Sequence, residues 1–155
     1  CFLLTKTAFY SSKTIEVLAQ KLIVNGVRTF FSLLESGCPI PIDLGLIVDG
    51  SGSISNKNWE KTKQFLANIT RTFEISQKGT HISVIVYSTN PRLLVKFNSF
   101  PGAKQNSKNL VKAMLDLTRT RGFTYIDRAL DLANKEMFSE ASGMRKNVKK
   151  VRSDL

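Results

Sequence analysis

The sequence predicts an α/β domain built on a parallel sheet, preceded by a short helical segment. Three observations carry this. IDLGLIVD, ending at Asp49, and HISVIVYS at 81–88 are apolar on both faces, as buried parallel strands are. Between them lies a helix-length segment with apolar residues on one side. The full order, strand, helix, strand, strand, helix, helix, is an α/β order.

Residues 14–24 place Ile15, Leu18, Ala19, Leu22 and Ile23 on one helical face, and Asn25-Gly26 stops that helix. Val27, Phe30, Phe31 and Leu34 repeat at i, i+3, i+4, i+7 and predict a second short helix. Cys38-Pro39 and Pro41 make an extended lead into the first strand, residues 43–49. Ser55 or Asn56 caps a helix that turns Trp59, Phe65, Leu66, Ile69 and Phe73 inward. The second strand is followed by the turn Thr89-Asn90-Pro91 and by a half-exposed strand over 92–98, antiparallel at one sheet edge. Ser107 is expected to cap a helix with Leu110, Val111, Met114 and Leu115 inward. A last helix from Thr124 carries Ile126, Ala129, Leu130, Ala133 and Met137 on one stripe. The expected organisation is thus a helical segment or linker at 1–38, a domain at 39–148 and a basic, atypical tail at 149–155.

Composition narrows the function. A chain of 155 residues with 42% hydrophobic and 23% charged residues is long enough for a core and is not disordered. No apolar run reaches the roughly 20 residues of a membrane helix. The net charge is +11, and residues 141–155 carry five Lys/Arg against one acid. The basic residues are scattered and lack aromatic interleaving, which argues against nucleic acid and leaves acidic partners such as sulfated glycans. The two cysteines, Cys1 and Cys38, form no CxxC or Cys/His cluster, so a structural zinc site is not expected. The chain opens on Cys1, so it reads as a fragment, a processed product or an incomplete gene model.

The chemistry gathers after the first strand, in Asp49-Gly50-Ser51-Gly52-Ser53. Asp49, Ser51 and Ser53 alternate, so an extended turn points one carboxylate and two hydroxyls the same way. The carboxyl end of a strand in an open α/β sheet is where ligands bind. Hard oxygen donors suit Mg²⁺ or Mn²⁺. The alternative is structural: Asp49 as a turn residue, Ser51 and Ser53 as caps. Gly50-Ser51-Gly52-Ser53-Ile54-Ser55 is similar to a dinucleotide fingerprint but lacks its third glycine. No Walker motif or GxSxG elbow is present, and His81, the single histidine, starts a strand at the far end of the sheet.

PIDLGLIVDGSGSIS at 41–55 resembles the first strand and metal-binding turn of von Willebrand factor type A domains, of the matrilin and collagen VI kind. RGFTYIDRAL at 121–130 resembles the loop and helix start of that family's second metal motif, and HISVIVYSTNPRLLVKF is similar to the hairpin between them. The resemblance implies a doubly wound, Rossmann-like fold and a metal-ion-dependent adhesion site. Asp49, Ser51 and Ser53 would be the first ligand group and Thr124 the second. An acidic residue of a partner protein, such as a matrix protein, would complete the coordination, with no bond broken. Thr124 keeps a second reading, because Thr124-Tyr125-Ile126-Asp127 has capping-box spacing. The resemblance also implies a disulfide for Cys38, since secreted relatives can pair a cysteine there with one beyond the last helix. Asn68-Ile69-Thr70 is an N-glycosylation sequon, used if the chain is secreted.

The family's third metal group, an Asp ending an apolar fourth strand, has no match in MRKNVKKVRSDL, and its role is not carried onto Asp154. The expectation is an incomplete domain, with the fourth strand absent or reduced to 148–152 and metal affinity weak. Residues 43–49 would keep an unpaired edge, leaving the chain insoluble or molten. The function expected is an extracellular, metal-dependent adhesion or protein-binding module. The alternatives are an intracellular scaffold or assembly factor of the same fold and, more remotely, a nucleotide-binding enzyme.

Overall fold

The computed structural model describes residues 41–154. The expected N-terminal helices and Cys38 lie outside the described residues. Strand β1 (Ile42–Asp49) leads to helix α1 (Asn56–Thr72), then β2 (His81–Tyr87) and β3 (Arg92–Val95). Helix α2 (Ser107–Leu115), helix α3 (Ile126–Leu132) and strand β4 (Lys149–Asp154) complete the order. The sheet runs β3-β2-β1-β4. β1 is parallel to β2 from Asp43↔His81 to Asp49↔Tyr87, and β3 is antiparallel to β2, as expected.

β4 corrects the sequence reading. Residues 149–154, expected as a tail or at most as a reduced strand over 148–152, pair in parallel with β1 from Ile42↔Lys149 to Ile47↔Asp154. The edge of β1 expected to be open is therefore covered, and the premise for an insoluble or molten chain is gone. The outer edge is now β4 itself, and Lys149, Lys150 and Arg152 give it the charge that discourages further strand pairing.

Both faces of β1 and β2 are buried. On one face Ile47, Ile85 and Tyr87 meet Phe97 and the stripe Ala129, Ala133, Met137. That stripe runs on past α3 into one wide turn, Ala133–Met137, closed by Phe138 N–H donating to Ala133 O at 3.0 Å. Gly45 of β1 makes this approach possible: a Cβ there would lie 2.6 Å from Met137 Sδ. The opposite face, with Leu46, Val48, Val84 and Val86, is equally buried. α1 and α2, packed against each other, supply the other buried helical stripes: Trp59, Leu66, Ala67 and Thr70 from one, Leu110 and Met114 from the other. Phe65 and Ile69, expected inward, are half-buried; Thr70 takes an inner place by donating its hydroxyl to Leu66 O at 2.9 Å.

Ser55 caps α1 as expected, accepting from Asn58 N–H at 3.2 Å. Asn106, not Ser107, caps α2, because its side chain accepts from Asn109 N–H at 3.0 Å. β3 stops at Val95, where Lys96 and Ser99 close a turn on each other.

His81 begins β2 half-buried. Its Nε2 lies 3.2 Å from Gln77 O, and its buried Nδ1 has no partner among the described residues. Burial, then the nearby Arg145 charge, lowers its pKa from the ordinary 6.5, although Asp43 and the Gln77 carbonyl pull the other way. The unfolded chain therefore takes up this proton first on acidification. The stability that neutral His81 contributes is present above the unfolded pKa and is lost as pH falls through the folded one. Urea midpoints at pH 7.5 and at about pH 5 should differ more in the native chain than in His81→Gln. Equal pH dependence in both would dismiss the link.

Candidate functional site

β1 is the point where the sheet reverses its winding, since the chain passes to β2 on one side and reaches β4 on the other. Ligands in open α/β sheets bind beyond the carboxyl end of such a strand. Asp49 ends β1 there, half-buried. Gly50 N–H donates to Tyr87 O at 2.7 Å, which holds the turn against the end of β2.

Within the turn, Ser51 N–H donates to Asp49 Oδ1 at 2.7 Å. This fixes the carboxylate and leaves Oδ2 without a donor among the described residues. Ser51 is 1% exposed, and its hydroxyl lies 3.0 Å from that of Ser53, which faces solvent. An octahedral ion with bonds near 2.1 Å spaces neighbouring oxygens by about 3.0 Å. The donor set is one carboxylate and two hydroxyls, all hard oxygens, and it fits Mg²⁺ or Mn²⁺. The structural alternative for these residues fails in part: Ser55, not Ser51 or Ser53, caps α1.

The loop before α3 is stitched to this turn. Arg121 N–H donates to Gly50 O and Gly52 N–H to Gly122 O, both at 2.9 Å. Two further bonds anchor it to the end of β2: Phe123 N–H to Thr89 Oγ1 at 2.9 Å and Tyr125 N–H to Ser88 O at 3.1 Å. The tight fit requires glycine at 122, whose φ is +105° and where a Cβ would lie 2.4 Å from Thr89 Oγ1. α3 begins at Ile126 because Tyr125, at φ −110° and ψ 84°, is not helical; the capping box at Thr124 therefore does not form. Thr124 is exposed, and its hydroxyl has no partner among the described residues.

Asp154 ends β4 opposite Ile47, two residues short of Asp49. Its Oδ1 is buried without a hydrogen-bond partner, 3.7 Å from Arg152 Nε. Burial, then the charges of Asp49 and Asp154, pushes the Tyr87 hydroxyl up to about 12. Among the described residues no group of three or more His, Cys, Asp or Glu could hold a metal ion.

Asn68 is exposed on α1, where its Oδ1 accepts from Arg71 at 2.8 Å, while Thr70 of the same sequon is buried. Sequence reasoning missed Thr89, Ser88, Arg121 and Gly122 as the loop's fastenings. Gly122 was visible only as part of RGFTYIDRAL, and nothing local links Thr89 to a segment 34 residues away.

The model of the von Willebrand factor type A domain matches residues 43–152. The chain belongs to this family. It is similar to mouse vitrin, 32% identical over 118 residues, covering 72% of this chain and 18% of vitrin. It is also similar to mouse integrin alpha-2, 31% identical over 125 residues, covering 79% of this chain and 10% of the integrin. The chain thus spans under a fifth of these relatives. Among solved structures, proximal thread matrix protein 1 of the mussel byssus, with a zinc-occupied MIDAS motif, gives a TM-score of 0.66 at 21% identity, covering 74% of this chain and 31% of that one. Manganese-loaded Plasmodium vivax TRAP protein gives 0.59 at 22% identity, over 72% of this chain and 44% of that one. These show the Rossmann-like type A fold. The domain is of the extracellular matrix and adhesion kind, and its place is outside the cell. No helix among the described residues is long and apolar enough to cross a membrane.

Proposed function

We propose that this domain is a binding module, not an enzyme, that recognises an acidic side chain of a partner protein through a divalent ion, Mg²⁺ or Mn²⁺. Asp49, Ser51 and Ser53 would hold the ion, with Thr124 as the second group. The observation that carries the reading is the pair of hydroxyls 3.0 Å apart beside a carboxylate whose Oδ2 is free, at the switch point of the sheet. The structures loaded with zinc or manganese support it by likeness of fold. Bound there, the ion would supply a Lewis-acidic position for a partner carboxylate.

The chain's own residues explain the rest. The Ser51 N–H orients the Asp49 carboxylate before any ligand arrives. The bonds from Arg121 and Gly52 bring the Thr124 loop to the turn. A matrix protein is the partner expected, with acidic glycans as a second class given the +11 charge. Asn68, exposed on α1, is the proposed carrier of an N-linked glycan.

Affinity for the ion alone should be weak, on the order of 0.1–1 mM, because one carboxylate offsets little of the dehydration cost. Titration calorimetry with Mg²⁺ and Mn²⁺ measures this. Asp49→Asn should lower affinity by more than ~100-fold, beyond the effect of losing an outer-shell partner. An unchanged affinity in Asp49→Asn would remove the site from this turn. Submicromolar binding by the native chain would mean a second carboxylate, with Asp154 the group to replace next.

A further inference from the structure

We propose that Phe123 and Arg121 select the partner: a protein segment in which an apolar side chain stands beside two carboxylates, one for the ion and one for Arg121. The inference rests on the proposed metal site and specifies what binds there. Phe123 is 74% exposed and Tyr125 38%, and they are the exposed large hydrophobic residues among those described. They flank Thr124, with ring centroids 6.4 Å apart. A single exposed apolar residue is ordinary on a protein surface. This one stands on a backbone fastened by hydrogen bonds.

Its own N–H is bonded to Thr89, and the residues on either side of it are tied to Gly50, Gly52 and Ser88. Arg128 adds a clamp, donating to Thr89 O at 2.8 Å and lying 4.3 Å above the Tyr125 ring. An aromatic ring on a pre-ordered backbone loses little further freedom when a partner covers it, which is how a small patch acquires large binding energy.

Charge decides the class of partner. Three arginines lie on or beside this loop, with Asp127 the nearby exposed acid in sequence. Arg119 is bonded to Asn56, and Arg128 is engaged by Thr89 and Tyr125. Arg121 is exposed and its guanidinium has no partner among the described residues. One free cation two residues from an apolar ring suits a second carboxylate on a peptide. A sulfated glycan needs a cluster of free cations and makes no use of a bare phenyl ring.

A random heptapeptide display library is selected on the whole chain in Mg²⁺ and in EDTA, and on Phe123→Ser, Arg121→Gln and Asp49→Asn in Mg²⁺. The native chain should enrich segments with two acids within about three positions of an apolar residue, the reach of a compact hot spot. Phe123→Ser should lose the apolar preference and bind the leading native peptide about tenfold more weakly. Arg121→Gln should lose the second acid. Metal affinity should stay unchanged in both, since neither residue belongs to the ligand set. Identical enrichment on the native chain and both variants overturns the proposal, as does no enrichment at all. Displacement of the peptide by heparin oligosaccharides through the same two residues would overturn it in favour of a glycan. The metal site fails separately: enrichment that survives EDTA or Asp49→Asn would refute ion-mediated binding and leave the rim standing.

Discussion

Exchanging Arg145 for Met should lower the stability of the domain by about 3–5 kcal/mol, the cost of stranding a buried charge. Asp43 lies in β1 with 0% of its surface exposed. Its Oδ2 accepts from the Arg145 backbone N–H at 2.7 Å, and its Oδ1 from Arg145 Nε at 2.8 Å. The same guanidinium donates to Ile42 O at 3.1 Å. The Arg145 side chain is 22% exposed, so the two partners are unequal. Without Asp43 the guanidinium can turn to water; without Arg145 the carboxylate cannot. Asp43→Leu should therefore cost less than Arg145→Met, and the double variant should recover much of the single loss, with the orphaned Arg145 N–H as the remainder. Arg145 lies just before β4, so Arg145→Met should also loosen β4 from β1 and raise amide exchange there. Urea unfolding of the three variants gives the cycle. A loss below about 1 kcal/mol in Arg145→Met would show that the carboxylate is not held by this pair.

Most of the fold was legible because its signals are local. β1 and β2 announce themselves as apolar runs, and α1 as a capped amphipathic stretch. β4 was legible only as one alternative, a reduced strand at 148–152, for a physical reason. An apolar run is required of a strand covered on both faces and both edges; β4 sits at the edge, and of KKVRSD only Val151 is apolar. What makes it a strand is the row of unpaired backbone groups on β1, more than a hundred residues away in the chain. The Asp43–Arg145 pair was hidden likewise: an acid inside an apolar strand signals a buried partner but does not name it.

The proposed metal turn could be picked out from Asp49, Ser51 and Ser53 alone, because alternation in an extended turn is a local property. Thr124 could not; by itself Thr-x-x-Asp reads equally well as a helix cap. The competition is decided by the backbone of Tyr125, which is not helical at φ −110° and ψ 84°, while its N–H anchors the loop to Ser88 O. The short stretch Ser88-Thr89 thus sets the loop that carries Thr124, Phe123 and Arg121, yet in sequence it is only part of a turn.

Gly122→Val should abolish ion-dependent binding while leaving the core nearly intact. At φ +105° a β-branched residue is strained by about 1–3 kcal/mol. Its Cβ would also fall 2.4 Å from Thr89 Oγ1. Thr89 cannot rotate away freely, because its hydroxyl accepts the Phe123 N–H and its carbonyl accepts from Arg128. The backbone must yield instead, and the neighbouring bonds Gly52 N–H to Gly122 O and Arg121 N–H to Gly50 O are the ones such a shift breaks. Their loss detaches Thr124 from the Asp49 turn and frees Phe123 to move. The buried stripe Ala129, Ala133 and Met137 begins beyond the Tyr125–Ser88 bond, so the midpoint of unfolding should fall only modestly. Calorimetry for the ion, peptide binding and a thermal melt on one preparation separate the two effects. Native peptide affinity in Gly122→Val, with the melt also unchanged, would show that the loop reaches the same geometry without glycine and that its fastening does not govern the site.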